Sequence, residues 1–174
     1  MNDISIFSDF PLHHYTGNYH DGRTEVLTEE GEWKLIKNIS VDDKLASVNI
    51  NTRELFFETP LNIFSKKYTG TMYVGKGRFL GFKVTPDHKL FVKPVYTLFD
   101  DGSSQYSYTI MNELPPFFEM LKYKHEGSYY GKINVRLSKD ISIEKYNGWI
   151  YSVEMSTHHN LLTRRNGKIL LSES

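Results

Sequence analysis

The sequence contains no cysteine. Disulfide bonds, thiolate metal sites and a cysteine nucleophile are therefore excluded. The 21 Lys and Arg residues balance the 21 Asp and Glu residues, so the formal net charge is zero. A chain without net positive charge has no overall attraction to nucleic acid or to an anionic membrane, and we expect neither as a partner.

Long apolar runs are also missing. No stretch approaches the roughly 20 apolar residues that a membrane-spanning helix needs. The first ten residues lack the basic start and apolar centre of a signal peptide. These absences predict a cytoplasmic protein. At 174 residues and 39% hydrophobic composition, the chain is long enough for one sizeable core and short for two.

Aromatic residues are abundant, with 12 Tyr and 11 Phe in short runs that alternate apolar and polar positions. This pattern favours strands over long amphipathic helices, and it predicts an all-β fold, either a barrel or a sandwich. The predicted strands are Thr24–Thr28, Trp33–Lys37, Lys44–Asn49, Glu54–Ile63, Thr71–Val74, Phe79–Val84 and Leu90–Val92.

Three segments depart from this strand pattern. Pro60 is expected to bend or end the fourth strand. Asp100–Ser104 reads as a turn between two aromatic strands, and Leu114–Lys122 predicts one short helix entered through proline. Residues 1–18 show no period long enough for an element, which indicates a leader or an upstream flank.

The most informative stretch is residues 81–92, where an apolar strand pattern is broken by Thr85-Pro86-Asp87-His88 and then resumes. A Thr and a His three residues apart on such a corner can both point at one backbone carbonyl. Asp87 reads as a turn residue, and Thr-Pro-Asp on its own is ordinary turn chemistry.

Two further blocks accompany this corner. One runs from Thr24 to Asn49, with turns at Gly31 and at Asp42-Asp43, and the other covers residues 146–168. Taken in their order along the chain, the three blocks resemble the intein or Hint (hedgehog-intein) family of self-processing domains, and the block at 146–168 is most similar to phage versions. The resemblance implies a Hint-type horseshoe of long twisted strands with at most one short helix. It also implies a single domain over residues 19–174, without a homing endonuclease.

The resemblance assigns roles to several residues. Tyr19 stands at the first position, where the family has a Cys, Ser or Thr that attacks the preceding carbonyl. A phenol oxygen cannot fold back onto that carbonyl, and using Thr16 instead would shift the register by three residues. Thr85 and His88 match the pair that activates the upstream peptide bond, with His88 as the donor to the leaving nitrogen.

At the downstream junction, His159 matches the histidine that assists cleavage, and Ser152 replaces the family's aspartate. The terminal Asn, which cuts the chain by forming a succinimide, falls on either Ser174 or Glu173, depending on the register. Serine cannot form the imide, and glutamate lacks the amide nitrogen. The histidine that often precedes the Asn is also missing.

We therefore expect an intein-like autoprocessing domain that is defective in splicing. The resemblance implies flanking host-protein segments as its partners in cis, a monomer, and neither a cofactor nor a metal ion. A phage gene in a bacterial host would fit the closing block. Turnover of external substrates is not expected.

Two alternatives compete with this interpretation. A metal-dependent nuclease would use side chains that bind zinc or activate water through magnesium, for which the candidates are His13, His14, His20, His158, His159 and Asn160. The sequence has no His-Glu-x-x-His spacing in support. A non-catalytic phage binding or structural module on a Hint-like fold would use exposed Tyr and Phe as a contact face.

Overall fold

The computed structural model describes residues 17–96 and 101–174. Strands dominate this part of the chain. In order they are β1 (His20–Asp21), β2 (Glu25–Leu27), β3 (Trp33–Leu35), β4 (Leu45–Val48), β5 (Leu55–Glu58), β6 (Asn62–Lys76), β7 (Gly81–Val84), β8 (Lys89–Pro94), β9 (Ser107–Ile110), β10 (Phe117–Tyr123), β11 (Tyr129–Arg136), β12 (Ile141–Glu154), β13 (Asn160–Arg165) and β14 (Lys168–Glu173).

Helical structure among the described residues is limited to one short α-helix, α1 (Leu137–Asp140), and two 3-10 turns at Ile36–Asn38 and Met111–Glu113. None of these has the length or the apolar character to cross a membrane.

The two longest strands, β6 and β12, pair antiparallel along their whole shared length, from Gly75 opposite Ile141 to Asn62 opposite Glu154. The shorter strands β7 and β1 join them into a closed four-stranded barrel in the order β1-β12-β6-β7. Strand β1 pairs with both β7 and β12, so the chain enters this barrel as one of its strands within a few residues of the start of the described part.

The second sheet has the order β11-β10-β8-β14-β13-β2-β3, with β9 added to β8, and β4 and β5 form a separate hairpin. Strand β8 is central in this sheet. Leu90 and Val92 pack into one hydrophobic cluster, whereas Phe91 packs into another. Since neighbouring residues of a strand face opposite sides, β8 is buried on both faces, and the corner before it is held rigidly.

The predicted all-β fold with at most one short helix is confirmed. Each of the seven predicted strands overlaps an observed one. The fourth divides at Thr59–Leu61, where Pro60 cannot donate to a ladder, and its two parts are β5 and the start of β6.

The predicted helix over Leu114–Lys122 is wrong, because this segment contributes strand β10. Phe118 and Met120 alternate into the core, and β10 is held between β8 and β11. Hydrogen bonding to a strand on each edge decides the conformation of this segment, because local propensity is weak compared with tertiary pairing. The predicted turn at 100–104 lies partly outside the described residues. Within it, Ser103 N–H donates to Asp101 Oδ1 at 2.9 Å, as in a tight turn.

Candidate functional site

The Thr85–His88 corner is a β-turn between β7 and β8. The backbone N–H of His88 donates to the carbonyl of Thr85 at 3.0 Å, and Pro86 occupies the second position of the turn. Proline pre-sets the backbone angle that this position needs. The turn therefore holds Thr85 and His88 at its two ends in a defined relation.

The upstream segment Gly17–Tyr19 lies across this corner. Thr85 N–H donates to the Tyr19 carbonyl at 3.2 Å, and Lys89 N–H donates to Asn18 Oδ1 at 3.1 Å. A Cβ atom added to Gly17 would lie 2.9 Å from the carbonyl oxygen of Asp87, so only glycine fits there without a shift. These contacts place the Asn18–Tyr19 peptide bond against the corner.

Polar groups at the corner are buried but unused. His88 is completely buried, and its ring meets the ring of His20 edge to face, with centroids 4.6 Å apart. Neither ring nitrogen of His88, nor Oγ1 of Thr85, has a hydrogen-bond partner in the described part of the chain. Such groups are rare in native proteins and need an explanation. Here they belong to the corner that the Gly17–Tyr19 segment crosses, which makes the corner a candidate functional site.

Tyr19 is only 6% exposed and sits directly before β1. The ammonium of Lys66 lies 4.6 Å from the centroid of its ring, at a cleft of about 300 Å³ that Asp87 also lines. Burial raises the pKa of the Tyr19 phenol, and the Asp87 charge raises it further. The phenol therefore stays protonated at neutral pH, which makes it a still weaker nucleophile.

The downstream end of the chain meets the upstream segment. The side-chain amide Nδ2 of Asn18 donates to Glu173 Oε1 at 3.4 Å, and Lys89 Nζ lies 3.7 Å from the same oxygen. Ser172 is buried on β14 opposite Leu90, and its Oγ has no partner among the described residues. Glu173 thus lies against the segment that leads into Tyr19.

His159 contributes through its backbone. Its side chain is exposed, while its carbonyl accepts the N–H of Ser174 at 2.9 Å. The Oγ of Ser174 accepts the N–H of Met155 at 3.1 Å. The neighbouring His158 ring packs on Phe56 with centroids 5.0 Å apart. Ser174 is therefore held to the β12–β13 connection by its backbone N–H and by its side-chain hydroxyl.

An ion pair beneath β1 was not apparent from the sequence. Arg165 binds Asp21 through two hydrogen bonds of 3.0 and 2.8 Å, and Thr24 Oγ1 donates to the same carboxylate at 3.0 Å. Only the Asp21–Thr24 spacing gives a local signal. Asn18 and His20 were likewise missed as contacts of the corner, because their partners lie far away along the chain.

The structure gives the metal-nuclease alternative no support. Within residues 17–96 and 101–174, no three His, Asp or Glu side chains are grouped so that they could hold a metal ion. His20 is buried against His88, and Asn160 is engaged by Ser47, Val48 and Tyr108. His13 and His14 lie outside the described residues.

The two buried histidines make stability depend on pH. Burial lowers the pKa of His20 to about 4, and the Asp21 charge offsets only part of this effect. Burial, and then repulsion from His20, holds the pKa of His88 well below its ordinary value. In the unfolded chain a histidine has a pKa of about 6.5. Below that pH the unfolded chain takes up protons first, so stability is lost as pH falls.

We expect the free energy of unfolding to fall by roughly 3 kcal/mol between pH 7 and pH 4 through His20 alone, at about 1.36 kcal/mol per pKa unit. Urea unfolding at pH 7, 6, 5 and 4 measures it. His20→Gln should flatten the profile, whereas replacing the exposed His125 by Gln should leave it unchanged. Equal losses in the wild type and His20→Gln would contradict this assignment.

No model of a known protein family matches this chain. One curated relative, the ATP-dependent Clp protease proteolytic subunit of Chlamydomonas moewusii, is 28% identical over 101 residues. The match covers 58% of this chain and 9% of that protein. The chain therefore spans only a small part of the relative's length.

Solved structures give a fuller match. A splice-inactive variant of the AceL NrdHF class 3 split intein superposes with a TM-score of 0.71 at 14% identity, covering 89% of this chain and 97% of its own. The bacterial intein-like domain of Clostridium thermocellum gives 0.65 at 16% identity, with coverages of 90% and 98%. The DnaX mini intein of Spirulina platensis gives 0.62 at 18% identity, with coverages of 90% and 100%.

Proposed function

We propose that this chain, which has the fold of inteins and Hint domains, is an autoprocessing domain. It acts in cis on the polypeptide joined to it, and it does not ligate its two flanks. The fold is that of the superposed inteins.

One observation carries the proposal: the Asn18–Tyr19 peptide bond lies against a rigid corner that keeps unused hydrogen-bonding groups. Thr85 and Lys89 hold the segment by their backbone N–H groups. His88 is buried against His20, the residue after Tyr19, and both of its ring nitrogens are free of partners among the described residues. A positioned hydrogen-bond donor at the reacting peptide group stabilises the charge that develops there and accelerates cleavage of the bond. The corner is suited to that task.

Loss of ligation follows from the residues at the two junctions. Tyr19 carries its oxygen at the far end of a rigid ring, and burial keeps that oxygen protonated. Glu173 has no amide nitrogen with which to close an imide, and the hydroxyl of Ser174 cannot replace it. Neither the upstream ester nor the downstream release that ligation needs has a suitable group.

We extend the proposal to the domain boundaries. Residues 19–174 act as one domain, and residues 1–18 are an upstream flank. The framework β1-β12-β6-β7 begins at His20, which supports a boundary near Tyr19. The longest α-helix in the described ranges has four residues, so nothing there resembles a helical endonuclease insertion.

The second candidate function is a non-catalytic binding module. Ile143 and Trp149 on the long strand β12 are 59% and 51% exposed, and such side chains can form a contact surface. This candidate predicts no chain cleavage under any condition.

The test places the chain between two tag proteins. We expect no ligated tag product by gel and mass spectrometry. In a Tyr19→Cys variant we expect upstream cleavage on addition of a thiol, because a thiolate can form the thioester that a phenol cannot. Adding His88→Ala to the Tyr19→Cys variant should abolish this cleavage, and Tyr19→Ala is the matched control.

Two results would overturn the proposal. Ligated tags from the unaltered chain would show that splicing is intact. If added thiol cleaves the Tyr19→Cys variant no faster than Tyr19→Ala, the corner does not activate the upstream bond. The non-catalytic binding module would then be the function that remains.

A further inference from the structure

We propose that Asn18 is the nucleophile of a self-cleavage at the upstream junction: its side-chain nitrogen attacks its own carbonyl carbon and releases Tyr19 as a new amino terminus. The inference rests on the proposed function, because it uses the same corner. It differs in the reacting group, which lies before the first domain residue and belongs to the upstream segment.

The contacts of Asn18 fix the orientation of its amide group. The backbone N–H of Lys89 lies at one end of the amide and needs an acceptor, whereas the Glu173 carboxylate lies at the other end and needs a donor. Only one orientation satisfies both, with Oδ1 toward Lys89 and Nδ2 toward Glu173. The nitrogen that must react is therefore the one next to a carboxylate.

These same contacts activate the amide. The Lys89 N–H at 3.1 Å draws electrons toward Oδ1 and stabilises the imidate form, in which Nδ2 is nucleophilic. The Glu173 oxygen at 3.4 Å is placed to accept the proton that Nδ2 must lose. Glu173 lacks the amide nitrogen that imide formation needs, but its carboxylate can serve as the general base for Asn18.

Ring closure is favourable on general grounds. Attack of Nδ2 on the carbonyl of the same residue forms a five-membered succinimide, and well-oriented intramolecular reactions reach effective concentrations far above those of external reagents. The hydrogen bond from Thr85 N–H to the Tyr19 carbonyl holds the leaving side of the bond in place. The backbone of Asn18 has a φ of 67°, a conformation that Asn tolerates better than most residues.

The step balances without any co-reactant. The Nδ2–C bond of Asn18 forms, one proton passes from Nδ2 to Glu173, and the C–N bond to Tyr19 breaks. The Tyr19 nitrogen gains one proton, which the protonated Glu173 carboxyl returns through water, so that Glu173 ends the step as the carboxylate it was at the start. The products are an upstream segment ending in a succinimide and a domain that begins at Tyr19.

The experiment uses the full chain with an upstream tag, incubated after purification. We expect slow release of a tagged fragment ending at Asn18 that is one water lighter than the corresponding acid. With time, this fragment should hydrolyse to a mixture of Asn and isoasparagine ends. Asn18→Gly keeps the positive φ but has no nucleophile, and cleavage should fall at least about 100-fold.

The matched control is Asn166→Gly, because Asn166 also has a positive φ, of 53°, and lies in the β13–β14 turn. It should cleave at the wild-type rate. Glu173→Gln retains an acceptor oxygen but loses the base, and its rate should fall about 100-fold. Asn18→Gln would close a six-membered ring and should also be slow.

The outcomes separate this inference from the proposed function. No release from the wild type, or a fragment carrying a free acid from the start, overturns the role of Asn18. Unchanged cleavage in Asn18→Gly overturns it as well. In each case thiol cleavage of the Tyr19→Cys variant still reports independently on whether the corner activates the bond.

Discussion

Asp21→Ala is expected to lower the free energy of unfolding by about 3–5 kcal/mol, because it leaves Arg165 as an uncompensated buried charge. The Arg165 and Asp21 side chains are 10% and 5% exposed, and two hydrogen bonds join them. The Thr24 hydroxyl would lose its acceptor at the same time. Urea or guanidinium unfolding at pH 7 measures the change.

A neighbouring pair supplies the control. Arg164 binds Glu25 with the same two-bond geometry, but these side chains are 26% and 25% exposed. Water screens this pair and solvates whichever charge remains, so Glu25→Ala should cost less than about 1 kcal/mol. Similar losses for the two substitutions would contradict the role of burial.

A double replacement refines the result. Asp21→Leu combined with Arg165→Met removes both charges and leaves neither unpaired. The free energy of unfolding of this double variant should fall by clearly less than the sum of the decreases caused by Asp21→Leu alone and Arg165→Met alone. Because β1 carries His20 and follows Tyr19, Asp21→Ala should also loosen the upstream junction.

The second large effect is expected at Asn160, which is completely buried at the start of β13. Its amide oxygen accepts from Ser47 Oγ at 2.9 Å and from Val48 N–H at 2.8 Å. Its nitrogen donates to the Val48 carbonyl at 2.7 Å and to the Tyr108 hydroxyl at 3.1 Å. This one side chain ties the β4–β5 hairpin to strands β13 and β9 of the second sheet.

Asn160→Ala should therefore cost about 3–5 kcal/mol, since both backbone groups of Val48 lose their side-chain partner in the interior and each such loss costs about 1–3 kcal/mol. Unfolding in urea, compared with Asn147→Ala, tests this. Asn147 bonds Thr69 at the surface, where water replaces the lost contact. A loss for Asn160→Ala no larger than that control would show that the hairpin is not held in this way.

Local features of the fold were readable from the sequence. Alternating apolar residues around Val26, Val84 and Leu90 predicted strands, because a strand places successive side chains on opposite faces. Pro60 and Thr85-Pro86 marked real interruptions, since proline has no N–H to donate. Each of these signals depends only on neighbours within a few residues.

The errors and omissions arose where distant segments decide. Leu114–Lys122 looked helical after two prolines but is clamped between β8 and β11. Asn160 looked like a metal ligand, and its four hydrogen bonds to residues more than 50 positions away were invisible. Pairings of this kind follow no spacing rule.

The sequence by itself determined that this chain is rich in strands, lacks any thiol chemistry and carries a Thr-His corner in the block order of inteins. The tertiary structure alone decided that the ring of His20 meets His88 and that Asn18 contacts both Lys89 and Glu173. The physical reason is that strand patterns are set by local backbone geometry. The chemistry at the corner depends on groups up to 155 residues apart that only the folded chain brings within hydrogen-bond distance.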